Sequence, residues 1–182
     1  MIKVQDNFLS VEEFKSLQHY CFNNNFSIVA AGDKSFSVLE TPKQILEKLE
    51  IEGQEIVFSF IRSAYKEFDT DLRIHADNII NGYMTSMASV LYISNEDITP
   101  NGTCFYKHNK YGLKLPKDCS AEDFDKLLSE DSNDESKWEK KDIVCAIPNR
   151  LLTYDSNYFH SKYPKVIENG TRIVLVCFYK SI

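Results

Sequence analysis

Nowhere in this 182-residue chain does an apolar run approach the roughly 18 residues that a membrane-spanning helix requires. The opening Met1-Ile2-Lys3-Val4-Gln5-Asp6 lacks the apolar core of a secretory signal. Cysteine occurs five times, an odd number with no CxxC pair, which argues against a zinc ribbon and against a disulfide framework. Free thiols in a reducing compartment are the expectation, with Cys145 and Cys177 filling apolar strands. Basic charge is also in deficit: 21 Lys and Arg against 27 Asp and Glu give a net charge of -6 and a pI near 5.3. That balance disfavours nucleic acid or an anionic membrane as the main partner. No Ser-His-Asp order and no phosphate-binding glycine loop is present. A cytoplasmic globular protein folding as one domain over residues 1–182 is expected.

What is present changes character near residue 68. Val4 to Ser10 reads as a short strand and cap. Ser10 and Glu13 form a capping-box pattern before the helical spacing Val11, Phe14, Leu17 and Tyr20/Cys21. Phe26 to Leu39 reads as strands broken at Gly32-Asp33. Thr41-Pro42 opens a second helix, with Thr41 as cap and Pro42 in the first turn. Ile56, Val57, Phe60, Ile61, Ala64, Tyr65 and Phe68 are spaced as a third, buried helix, which makes 1–68 a helical support region. Short strands then follow one another: 71–77, 87–94, 103–108, 143–147, 151–154, 159–163 and 171–180. The fold class implied is mainly β with flanking helices, a two-sheet jelly roll over 69–182 with the N-terminal helices packed on one sheet. A polar insertion at 117–142 interrupts it, read as a surface excursion or a flap over a site.

Four residues carry chemistry. In Leu72-Arg73-Ile74-His75-Ala76-Asp77, a strand would project His75 and Asp77 to one face. His160, in Phe159-His160-Ser161, is the natural third ligand of a metal. Two imidazoles and a carboxylate cap one face of an octahedral ion and leave positions open, as in non-haem Fe(II) oxygenases. Arg172 heads the apolar run Ile173-Val174-Leu175-Val176 on what reads as the neighbouring strand. A guanidinium entering a core needs an anionic partner. His19 and His108 read as packing or surface histidines, and Arg150 as a turn arginine that rivals Arg172 for an anion.

His75-x-Asp77, the distal His160, and Arg172 in Gly170-Thr171-Arg172-Ile173-Val174 together resemble the Fe(II)- and 2-oxoglutarate-dependent oxygenases of the prolyl-hydroxylase-like branch. The resemblance covers residues 70 to 180 well and the N-terminal part loosely. It implies a double-stranded β-helix and three iron ligands, His75, Asp77 and His160. It implies also that Arg172 pairs bidentately with the distal carboxylate of 2-oxoglutarate, with the Tyr92 hydroxyl on the same group. Asn101-Gly102-Thr103 resembles the family's glycine turn into the next strand. The implied reaction uses O2 and 2-oxoglutarate to hydroxylate a peptide or small-molecule substrate, releasing succinate and CO2. Asp77 favours hydroxylation over halogenation, whose enzymes lack that carboxylate. Two other readings stay open: a cupin-like metal enzyme without 2-oxoglutarate, and a non-catalytic jelly-roll interaction module.

Overall fold

The computed structural model describes residues 1–31, 34–66, 68, 71–94 and 101–182. Strand β1 (Ile2–Gln5) leads into helix α1 (Val11–Asn23), followed by β2 (Ser27–Ala31), β3 (Lys34–Glu40), α2 (Lys43–Lys48) and β4 (Gln54–Ala64). A short hairpin, β5 (Ile79–Ile80) and β6 (Tyr83–Met84), precedes β7 (Met87–Tyr92) and β8 (Gly102–His108). After α3 (Ala121–Lys126) come β9 (Trp138–Cys145), β10 (Leu151–Asp155), β11 (His160–Tyr163) and β12 (Arg172–Ser181). The expected break at Gly32-Asp33 lies outside the described residues.

Two antiparallel sheets form the body. The major one has seven strands in the order β1-β10-β7-β12-β4-β3-β2, and the minor one three, β11-β8-β9. Alternation along the central strand β12 separates two cores. Ile173, Leu175, Cys177 and Tyr179 join Phe14, Leu17 and Cys21 of α1 and Ile45 of α2 on the outer face. Val174, Val176 and Phe178 point inward, where Val90 and Tyr92 of β7, Leu152 and Tyr154 of β10 and Phe105 of β8 meet them. A strand buried on both faces reads as an unbroken apolar run, and β12 does. A third cluster, including Ile74, Tyr106, Leu127, Trp138 and Phe159, covers the far side of the minor sheet.

The capping box is present: Ser10 Oγ accepts from Glu13 N (3.2 Å) and Glu13 Oε2 from Ser10 N (3.0 Å). Other expectations need correction. The third helix predicted over 54–68 is instead strand β4 over Gln54–Ala64, so the described residues of 1–68 hold four strands besides two helices. Its pairing with β12 shifts register between Phe178 and Tyr179, skipping Val57. That bulge reverses the alternation and puts Val57 and Phe60, three apart, into the same core, an interval that imitates helical spacing. At α2 the N-cap is Pro42, and Thr41 bonds Ser59 instead (2.8 Å). Cys177 is buried, but Cys145 at the end of β9 is exposed, and all five cysteines are free. The insertion 117–142 is neither a bare excursion nor shown over a site, since it buries Leu127 and Trp138 in the third cluster. No helix among the described residues is long and apolar enough to cross a membrane.

Candidate metal and carboxylate site

The His-x-Asp segment is not a strand. Residues 71–77 are irregular, held by a single bridge in which His75 N donates to His160 O (3.0 Å) and His160 N to His75 O (2.9 Å). Asp77 N donates to Ser156 O (2.7 Å), which fixes the carboxylate end of the segment. Asp71 and Arg73 form a fork at its start, with two contacts of 2.9 Å. The convergence expected from strand geometry is therefore achieved by backbone bonds to the chain around β11.

One ligand atom from each of His75, Asp77 and His160 can be chosen so that all lie within 4.8 Å of one another. His75 Nε2 is 3.5 Å from Asp77 Oδ1, and His160 Nε2 is 3.2 Å from Asp77 Oδ2. Each imidazole is oriented from behind: Nδ1 of His75 faces Arg73 O (3.1 Å), and Nδ1 of His160 faces Tyr158 O (2.9 Å). A carbonyl can only accept, so both Nδ1 atoms carry protons, and each ring in its neutral form turns an Nε2 lone pair inward.

Burial and charge act together here. Burial, then the neighbouring His160, push His75 below the usual imidazole range. Burial alone would lower His160 too, but the Asp77 carboxylate outweighs it and raises His160. Burial would raise Asp77, yet His160's charge and hydrogen bond hold it below the carboxylate range. Positive charge at His160 and negative charge at Asp77 therefore favour each other inside the fold. A divalent cation among the converging Nε2 and carboxylate atoms meets the same favourable negative charge, so the residues present fit the metal that the resemblance implies.

Arg172 and Tyr92 meet on the inner face. Arg172, 6% exposed, donates from Nη2 to Gly102 O (3.3 Å), and its guanidinium carbon lies 5.9 Å from the Tyr92 ring centroid. Tyr92 Oη donates to Thr103 Oγ1 (2.8 Å). Gly102 has a steric role: a Cβ there would stand 2.1 Å from Val144 O of the adjacent strand. Arg172 does not lie on a strand paired with that of His160. β12 pairs with β7 and β4 in the major sheet, β11 with β8 in the minor one, and the arginine reaches β8 across the interior.

The remaining candidates have structural roles. Arg150 forms a two-pronged pair with Asp6 (2.5 and 3.0 Å) and bonds Cys145 O. His108 is buried between Trp138 and Tyr111 and bonds Asp131 (3.1 Å). Tyr154 was not singled out from the sequence. Its hydroxyl lies 3.0 Å from His160 Nε2 and 3.4 Å from Asp77 Oδ2. The signal was its parity with Leu152 in β10, which turns both side chains inward. Ser132 was missed as well. Its carbonyl accepts from Ile74 N (3.1 Å) and its hydroxyl donates to Ile74 O (2.8 Å), so the insertion braces the residue preceding His75.

This architecture is the double-stranded β-helix, shared with solved enzymes at low sequence identity. A Pseudomonas putida prolyl-4-hydroxylase aligns at TM-score 0.57 and 11% identity, over 100% of this chain and 92% of that one. HygX from Streptomyces hygroscopicus, with nickel, 2-oxoglutarate and hygromycin B bound, aligns at 0.60 and 12%, over 99% and 82%. The non-heme alpha ketoglutarate dependent carbocyclase SnoK, from nogalamycin biosynthesis, aligns at 0.64 and 10%, over 99% and 79%. The chain itself belongs to the family described as "Family of unknown function (DUF6445)", whose profile matches residues 37–169. No curated protein matches its sequence.

Proposed function

We propose that this protein is an Fe(II)- and 2-oxoglutarate-dependent oxygenase that hydroxylates a C–H bond of a peptide or small molecule. The observation carrying this reading is the convergence of His75, Asp77 and His160 in one cluster, with Asp77 and His160 buried and His75 partly exposed. When bound, iron with 2-oxoglutarate supplies the oxidising power, consuming O2 and releasing succinate and CO2.

The protein's own contributions follow from its geometry. His75 and His160 present neutral nitrogens because Arg73 O and Tyr158 O hold their Nδ1 protons. Asp77 adds one negative charge and occupies the position that a halide would need. Arg172 supplies a charged fork for the distal carboxylate, with the Tyr92 and Thr103 hydroxyls beside it. Burial of Phe105 and Tyr154 around His160 limits water at the reacting end.

The test is calorimetry of 2-oxoglutarate with Mn(II) as inert metal, followed by succinate production with Fe(II). Co-substrate binding that depends on Mn(II), with iron-dependent succinate release, is expected. Metal binding without 2-oxoglutarate binding would overturn the reading in favour of a cupin-like enzyme.

A further inference from the structure

Tyr154 stands closer to the candidate metal ligands than a packing residue needs to. Metal–ligand bonds to nitrogen and oxygen are about 2.0–2.2 Å, so neighbouring ligands at right angles lie about 3 Å apart. His160 Nε2 and Asp77 Oδ2 are separated by 3.2 Å. Tyr154 Oη is 3.0 Å from the first and 3.4 Å from the second. The phenol oxygen thus completes a triangle of ligand-like spacings with two of the three donors. Its ring is held edge-on to Phe105 (centroids 5.3 Å apart), and the side chain is 1% exposed.

The hydrogen bonds point the same way. Nδ1 of His160 is committed to Tyr158 O, so a metal on this ring must take the Nε2 lone pair. Tyr154 then loses any bond to that nitrogen and keeps only its long O–H donation to Asp77 Oδ2 (3.4 Å), so its oxygen lone pairs are left beside the cation. Oxygen lone pairs buried beside a cation are satisfied by binding it.

Resting on the function proposed above, we infer that Tyr154 is a fourth protein ligand, bound to the metal when 2-oxoglutarate is absent and released when it binds. Coordination exchanges the phenol proton, given up to solvent, for a metal–oxygen bond, with no change of oxidation state. The count of positions requires the release. Three protein ligands and a chelating 2-oxo acid fill five of six octahedral sites and leave one for O2, whereas a fourth protein ligand leaves none. The tyrosine must therefore leave the metal before O2 can bind beside the co-substrate.

Ferric iron is the probe, because a phenolate bound to Fe(III) gives a visible charge-transfer band that imidazole and carboxylate do not. Wild-type protein loaded with Fe(III) is expected to be coloured, Tyr154→Phe colourless at equal iron content, and Tyr92→Phe coloured like wild type. N-oxalylglycine, an unreactive 2-oxoglutarate analogue, should bleach the band. Colourless wild type that still binds Mn(II) by calorimetry would overturn the role of Tyr154 while leaving the three-residue site intact. Wild type that binds no Mn(II) would overturn both. A band that persists at saturating N-oxalylglycine would overturn the release. Circular dichroism of Tyr154→Phe separates loss of a ligand from loss of fold.

Discussion

Single residues divide the site's work, and substitution should separate the parts. His160→Ala removes a metal donor and leaves the Asp77 carboxylate buried without its partner, so Mn(II) binding should vanish in calorimetry. Arg172→Ala should keep Mn(II) binding but weaken 2-oxoglutarate. A hydrogen bond to a charged group is worth about 1.5–3 kcal/mol, a loss of roughly 10- to 100-fold in affinity. Normal co-substrate binding by Arg172→Ala would remove that residue from the carboxylate site. Arg172 was legible in the sequence because a guanidinium inside an apolar run is anomalous without an anion. Tyr154 was not, since a tyrosine in a strand is ordinary core, and only the distance from its hydroxyl to His160 distinguishes it.

Elements explain which parts of the reading held. β12, with both faces buried, announced itself, and β7, β8, β10 and β11 fell near their expected bounds. β4 did not, because its bulge disguised a strand as a helix. The insertion was legible as polar, but its brace on Ile74 depends on a serine whose partner lies far away in sequence. Ser132→Ala should leave the Ile74 carbonyl short of a donor, at a cost of about 1 kcal/mol, and weaken Mn(II) binding several-fold by loosening His75. Unchanged melting and unchanged metal affinity would show that the brace is idle. The same insertion is tied down by His108, whose Nδ1 accepts from Lys110 N (3.2 Å) and Tyr111 N (3.3 Å) while Nε2 faces Asp131. Burial pushes this imidazole below its ordinary range despite Asp131. A lowered folded-state value means that the unfolded chain binds the proton more readily. The stability from neutral His108 is thus present above the unfolded value of about 6.5 and lost as pH falls below it. The wild type should lose more melting temperature between pH 7.5 and 5.5 than His108→Gln does. Equal losses would exclude His108 as a source of acid sensitivity.

Across the whole molecule, the candidate metal triad joins parts distant in sequence. His75 and Asp77 come from an irregular segment, His160 from the minor sheet, and Tyr154 from the major sheet facing it. A metal held by these donors cross-links the irregular segment to the minor sheet. Because the unfolded chain offers no such cluster, binding energy becomes folding energy. At a free metal concentration 100 times Kd the gain is about 2.7 kcal/mol. For a chain of this size each kcal/mol shifts Tm by about 2–4 °C, so saturating Mn(II) should raise Tm by roughly 5–10 °C. Asp77→Ala should abolish the rise, whereas Arg172→Ala should preserve it, since the proposed role of its guanidinium is on the co-substrate and not on the ion. Adding 2-oxoglutarate to the Mn(II) form should raise Tm further in wild type and much less in Arg172→Ala. A metal-induced shift that survives loss of Asp77 would mean that the ion binds elsewhere, and the three-residue site would have to be abandoned.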